Sequence, residues 1–192
     1  MKKNKILLFI CEKLAAFYWA YLKPAIDGYV LNTQKNKFEY FGKEVITKGG
    51  GTIYYPENIS IGDFVHIGEN YFLMGIGGIE IGTGTLISRN VCIHSGNHDF
   101  KSIDFLPYNN NYDKRKITIG KGVWIGQNVN ILPGIQIGDG AIIGMGVTVS
   151  KNVSKGEIIV GIANRSLGFR DQKALDKLLE EEMFISKYNP KI

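Results

Sequence analysis

Aliphatic residues recur at every sixth position through the middle of the chain, at Ile119, Ile125, Ile131, Ile137, Ile143 and Val149, with no slip in phase. Glycine follows the aliphatic at 120, 126, 138 and 144. A second column of small or branched residues lies four positions on, at Val123, Val129, Ile135, Ala141, Val147 and Val153. An earlier block keeps the same step at Ile61, Ile67 and Leu73, and resumes it at Ile81, Ile87 and Ile93 after two extra residues around Gly77 and Gly78. A period of six matches neither the turn of an α-helix nor the spacing of hairpin strands. β-Branched side chains suit a pleated strand better than a helix. The pattern therefore predicts short strands joined by tight turns and wound into coils, each stacked on the last, with one aliphatic per strand entering a continuous apolar column. Glycine relieves turns where a Cβ would hinder the backbone. The fold class this implies is all-β, a parallel β-helix, with helices at its ends.

The phase breaks at length once, between Ile93 and Ile119, and removing about twenty residues there restores the six-residue step. The extruded loop, 97–116, is polar and aromatic, with Phe100, Phe105, Pro107, Tyr108 and Tyr112. A loop of that length without its own periodicity is usually functional. Ahead of the repeat, Ile6 to Leu22 reads as an amphipathic helix. Beyond it, Gln172 to Phe184 sets Leu175, Leu178 and Leu179 on one face and Glu180 to Glu182 on the other, as a cap on the solenoid end requires. Three zones result: an N-terminal helix and lead-in (1–48), the hexapeptide β-helix (49–168) and a C-terminal capping helix (169–192).

Composition sharpens this division, because 22 of the 24 glycines fall between Gly49 and Gly168 in a chain of 192 residues. The chain is 44% hydrophobic and 21% charged, enough apolar surface to fold. Cys11 and Cys92 make no disulfide framework and no zinc-ligand spacing, which suits a reducing, cytoplasmic compartment. The net charge of +5 is spread along the chain with no nucleic-acid motif. It suits small anionic ligands or an anionic membrane surface equally well. In the N-terminal segment, Glu12 and Lys13 interrupt the apolar run and no small-residue cleavage site follows, so neither a membrane span nor a secretory signal is expected. Its aromatics (Phe9, Phe17, Tyr18, Trp19, Tyr21) and Lys2, Lys3 and Lys5 suit peripheral contact with the inner membrane face. Packing on the chain's own domain or on a partner subunit would satisfy the same pattern.

Four stretches carry a resemblance: Ile93-His-Ser-Gly-Asn-His-Asp-Phe100 leading into the loop, Ile119-Gly-Lys-Gly-Val-Trp-Ile-Gly126, Ile131-Leu-Pro-Gly-Ile-Gln-Ile-Gly138, and Val147-Thr-Val-Ser-Lys-Asn152. From about Gly51 to Arg165 the chain resembles the hexapeptide-repeat acyltransferases, in particular the sugar O-acetyltransferases that modify galactosides, maltose and capsular or lipopolysaccharide glycans. The resemblance implies a left-handed β-helix, a homotrimer, acetyl-CoA as co-substrate and no metal. The family's catalytic histidine opens the extruded loop, and the matching position is His98. Its chemistry agrees, since a neutral imidazole can take the proton of an attacking hydroxyl and return it to the leaving thiolate. No nucleophile–base pair stands out, so direct attack is expected in place of an acyl-enzyme.

For the donor, the resemblance matches Trp124, Gln127, Met145, Ser150, Lys151 and Arg165, with Lys151 and Arg165 suited to the phosphates of CoA. Met145 stands where the family has a small residue, and Gly161-Ile-Ala-Asn-Arg165 replaces its Gly-x-Pro-Ala-Lys/Arg ending. For the acceptor, Asn70 is the nearest match to a family asparagine beside the sugar hydroxyl. Asn97 and Asp99 flank the base and would either orient it or close turns of the loop.

Two other readings compete. His66, His94 and His98 are the only three histidines, and zinc carbonic anhydrases of the gamma class use three histidines on the same scaffold. A silent trimeric scaffold would bind no CoA. The expectation carried forward is transfer of acetyl from acetyl-CoA to a hydroxyl of a saccharide or lipid-linked glycan in surface polysaccharide biosynthesis, with an amino-sugar acceptor as the nearest alternative.

Overall fold

The computed structural model describes residues 2–23, 25–26 and 33–161, with positions 173, 177 and 181 beyond them, and side chains from residue 8 onward. Its body is a parallel β-helix. The first coil holds β1 (Tyr40–Phe41), β2 (Ile46–Thr47) and β3 (Thr52–Tyr54), and the second β4 (Ile59–Ile61), β5 (His66–Ile67) and β6 (Phe72–Met74). The third coil holds β7 (Ile79–Ile81), β8 (Leu86–Ile87) and β9 (Cys92–His94), after which β10 (Gly96–His98) and β11 (Tyr112–Lys114) leave the solenoid. It resumes with β12 (Ile117–Ile119), β13 (Trp124–Ile125) and β14 (Asn130–Ile131), then β15 (Gln136–Ile137), β16 (Ile142–Ile143) and β17 (Thr148–Val149), and ends at β18 (Ile158–Ile159). Corresponding strands of successive coils pair in parallel, giving three sheets: β1-β4-β7-β12-β15, β18-β16-β13-β8-β5-β2 and β17-β14-β9-β6-β3.

Both sequence columns lie inside this prism. Ile61, Ile67, Leu73, Ile81, Ile87, Ile93, Ile119, Ile125, Ile131, Ile137, Ile143 and Val149 are buried, and so are Val123, Val129, Ile135, Ala141, Val147 and Val153. Thr85 occupies a second-column position and is fully buried; its hydroxyl donates to the Gly120 carbonyl (2.8 Å) and accepts from the Val123 N–H (3.2 Å). A polar group inside the column is tolerated there because both of its roles are filled.

The solenoid starts nine residues before the zone boundary read from glycine, since β1 begins at Tyr40 and pairs with β4. Phe38, Phe41 and Val45 pack on the core there in place of the Ile-Gly signature, which is why the period alone does not reveal this coil. At the amino end, α1 (Lys2–Phe17) runs into a π-helical turn, Tyr18–Leu22. Its described apolar side chains are not buried within the single chain. Leu8, Phe9, Ile10, Leu14, Phe17, Tyr18, Trp19, Tyr21 and Leu22 are all exposed. No described helix is long and apolar enough to cross a membrane. Of the capping helix expected at Gln172 to Phe184 only positions 173, 177 and 181 are described, and Arg165 lies outside the described residues.

Candidate active site

The extruded loop is held at its neck by a short antiparallel stem, in which Gly96 faces Lys114, Asn97 faces Asp113 and His98 faces Tyr112. Ser95, buried just before the stem, donates its hydroxyl to the Met74 carbonyl (2.6 Å) and accepts from the Gly77 N–H (2.8 Å). The Ser95 carbonyl accepts from the Arg115 N–H (2.8 Å), so both ends of the loop are tied to one residue. The two extra residues around Gly77 and Gly78 thus have a purpose in the fold. They form the 3₁₀ turn Gly75–Gly77 on which the neck sits, and a Cβ on Gly77 would lie 2.1 Å from the Ser95 oxygen. Ser95 is an anchor of the loop that the repeat pattern did not single out; its signal is a hydroxyl placed at the last coil position before the phase breaks.

His98 is clamped by aromatic rings. Tyr108 stacks on it at 3.7 Å between centroids and 12° between planes, and Tyr112 packs against it at 4.5 Å and 36°. Nδ1 is buried with no hydrogen-bond partner among the described residues. Burial first, and the neighbouring His94 second, hold the His98 pKa below its usual value. Both influences favour the neutral form of the ring at neutral pH. Tyr112, packed beside Tyr55 and Tyr108, has its phenol pKa pushed up by burial and then by those two rings. Below the loop, Tyr54, Phe72 and His94 form a row of rings up the outer face of the third sheet, at 5.7 Å and 5.9 Å centroid spacings.

The residues flanking the base close the loop and leave the ring alone. The Asn97 carboxamide oxygen accepts from the His98 backbone N–H (2.9 Å), and Asp99 accepts from the Lys101 N–H (3.2 Å) and the Asn109 amide (3.3 Å). Short polar side chains bond local backbone in this way, and it occupies the groups that would have oriented the imidazole. Asn70 also has a structural post. Asn70, Asn90 and Asn128 stand above one another at one corner of the prism, all with positive φ (56°, 58° and 60°). The Asn70 amide donates to the Asn90 oxygen (2.9 Å), and the Asn90 amide to the Asn128 oxygen (3.0 Å).

The donor positions fall in two groups. Trp124 lies exposed on the outer face of the second sheet, while Gln127 and Met145 occupy successive levels of the corner beyond it, tied by the Gly146 N–H to the Gln127 carbonyl (2.8 Å). Ser150 and Lys151 are exposed at a different corner, past β17 and two coils above the neck of the loop. The coils stack closely at Gly126, where a Cβ would come within 2.7 Å of the Met145 nitrogen, so no side chain fits between these two levels. Among the described residues no three metal-ligating side chains converge. His66 is on β5 of the second sheet, His94 on β9 of the third and His98 in the loop stem, so one chain does not assemble them into a zinc site.

The family model for the bacterial transferase hexapeptide (six repeats) matches residues 116–151. WbbJ of Escherichia coli (strain K12), named for O-acetyl transfer in lipopolysaccharide biosynthesis, is 31% identical over 143 residues, covering 71% of this chain and 69% of that one. The chain belongs to the hexapeptide-repeat acyltransferases. Of further curated members of this family it spans little more than half the length. Among solved hexapeptide-repeat structures, a maltose O-acetyltransferase from Clostridium difficile superposes with a TM-score of 0.62 at 30% identity, covering 68% of each chain. The acetyltransferase VCA0836 of Vibrio cholerae, complexed with acetyl coenzyme A, superposes with a TM-score of 0.61 at 26% identity, covering 68% of this chain and 70% of that one.

Proposed function

We propose that this protein transfers the acetyl group of acetyl-CoA to a hydroxyl of a saccharide, in the synthesis of a surface polysaccharide, with His98 as the base. The observation that carries this reading is the state of His98: a ring held in its neutral form and clamped between Tyr108 and Tyr112, with Nδ1 shielded, which leaves Nε2 to meet the substrate. Nε2 takes the proton of the acceptor hydroxyl as that oxygen attacks the thioester carbonyl. It gives the proton to the sulfur as the carbon–sulfur bond breaks. WbbJ and the Clostridium difficile maltose enzyme are both named for O-acetyl transfer, which favours a hydroxyl over the amine of an amino sugar.

Trp124, Gln127 and Met145 hold the pantetheine arm, and Ser150, Lys151 and Arg165 its charged end. The oligomer is a homotrimer. Support for it comes from the upper part of the outer face of the second sheet, where Leu86, Trp124, Ile142 and Ile158 stand in register from coil to coil. Leu86, Trp124 and Ile158 in this stripe are exposed in the single chain. A stripe of that kind calls for cover by a second copy. The enzyme is cytoplasmic, and the bare apolar surface of α1 with its lysines rests on the inner membrane face, next to a lipid-linked glycan acceptor.

The test is thermal unfolding with and without acetyl-CoA, followed by acetyl-CoA consumption across a panel of saccharides. A ligand at a hundred times its Kd stabilises the folded state by about 2.7 kcal/mol. A rise that shrinks in Lys151→Ala, and turnover lost at least about 100-fold in His98→Ala with acetyl-CoA binding intact, is the expected pair of results. Undiminished turnover in His98→Ala would overturn the mechanism.

A further inference from the structure

A groove of about 820 Å³ opens on the lower part of the second sheet, away from His98. Its floor is β5 and β8, with His66, Ile67 and Ile87; its side is the corner carrying Lys48, Glu69 and Arg89; Trp19 and Lys23, from the end of the N-terminal helical segment, close it from above. Three cations and one carboxylate line it. Arg89 meets Glu69 only at 3.4 Å with both side chains more than half exposed, so its guanidinium keeps donors to spare. The Lys48 ammonium has no ion-pair or hydrogen-bond partner among the described residues, while its backbone N–H donates to the Ile67 carbonyl (2.8 Å), and the residue is exposed and lines the groove. The Lys23 ammonium lies 5.9 Å from the centre of the Trp19 ring, which carries positive charge to the rim beside an exposed aromatic face. His98 leaves the solenoid from the other edge of the third sheet, so within one chain the groove is separate from the base.

Lys48 and Arg89 sit two levels apart at this corner, with Glu69 on the level between them, since β2 pairs with β5 and β5 with β8. Strands of successive coils lie about 4.8 Å apart, so the two cations stand roughly two levels, or about 10 Å, from each other. That span suits a group carrying two linked phosphates better than a single carboxylate. Arginine and lysine together favour phosphate oxygens through charge-assisted hydrogen bonds. The volume accommodates a diphosphate with one sugar attached. On the far side of the groove the chain continues into the exposed apolar helix, so a hydrocarbon tail leaving the diphosphate would run along Trp19 and Tyr18 toward Leu14.

We infer that this groove binds the diphosphate ester of a glycosyl diphosphate acceptor. The inference rests on the transferase reading and narrows its substrate to saccharides that carry a diphosphate, on either a nucleoside or a prenyl chain.

The experiment is isothermal titration of the whole chain, first without acetyl-CoA and then at its saturation, with three probes: UDP-N-acetylglucosamine, farnesyl diphosphate and methyl glucoside. Binding of a diphosphate probe, absent for methyl glucoside, weakened at least about tenfold in Lys48→Gln/Arg89→Gln and weakened again by raising salt, is expected. Trp19→Ala separates the sources. It weakens farnesyl diphosphate more than the nucleotide sugar if the acceptor is lipid-linked, and affects the two alike if it is soluble. Acetyl-CoA affinity, measured first on each variant, reports folding and the donor site. Intact acetyl-CoA binding with no diphosphate binding would overturn the groove and leave the transferase reading standing. No binding of acetyl-CoA to the unmodified protein would instead overturn the transferase reading. Diphosphate binding seen without acetyl-CoA but lost at its saturation would assign the groove to the donor's own phosphates and also overturn the inference.

Discussion

The rings of His98 and Tyr108 are parallel to within 12° and 3.7 Å apart, so the tyrosine covers one face of the proposed base and excludes water from it. Replacing Tyr108 with alanine uncovers that face, and the His98 pKa is expected to climb back toward about 6.5. Turnover should drop about tenfold as the ring loses its fixed orientation, while Tyr108→Phe keeps both properties. Imidazole titration by NMR, alongside kcat/KM, checks the pair of effects; an unmoved pKa in Tyr108→Ala would show that the stack does not desolvate the ring.

The direction of the His98 shift sets the pH profile. Burial and His94 favour the neutral ring, so the base becomes protonated only below the ordinary histidine range. The rate should stay level from neutrality down through about 6.5 and fall on an acid limb beneath it. The same shift acts on stability. The unfolded chain takes up the proton more readily than the folded one, so the contribution of His98 is present above its unfolded pKa and is lost as the pH falls toward its folded value. Profiles of kcat/KM and of urea midpoints for the native chain, compared with midpoints for His98→Ala, test both statements.

Thr85 offers a stability test inside the column. Thr85→Val keeps the shape and removes the hydroxyl, leaving the Val123 N–H without its side-chain acceptor and the Gly120 carbonyl without its donor. A loss of about 1–3 kcal/mol in chemical denaturation is expected, although the substitution makes the sequence period more regular.

At the asparagine corner, two causes can be separated. Asn90 has φ of 58° and bonds to Asn70 and Asn128 through its side chain. Asn90→Gly loses the bonds but adopts the backbone freely, whereas Asn90→Val loses both. Denaturation midpoints should fall in the order native, glycine, valine, with the valine variant lower by at least about 2 kcal/mol.

The exposed N-terminal helix predicts membrane partitioning. Full-length protein should sediment with liposomes rich in anionic lipid and do so less at high salt, and removal of residues 1–22 should abolish it. Equal partitioning after the deletion would show that the contact lies elsewhere.

The sequence by itself determined the solenoid, because each inward aliphatic from Ile61 to Val149 meets the same local demand at the same step, and a repeated local demand is visible as a period. It also marked His98, through the point where the period fails and through the likeness of the flanking motifs to a known family. Only the tertiary structure decided what surrounds that histidine. Tyr108 and Tyr112 reach it because the stem folds the loop back on itself, and Ser95 ties the neck through contacts with Met74 and Gly77, each from a different coil position. Asn70 shows the same limit: its motif suggests a role beside a sugar, yet its partner Asn90 lies twenty residues away and becomes a neighbour only because one coil has that length. The first coil and the groove under Trp19 were hidden for a related reason. Their residues are joined across coils and across the helix end, where the chain's path in space, and not the local pattern, decides which side chains meet.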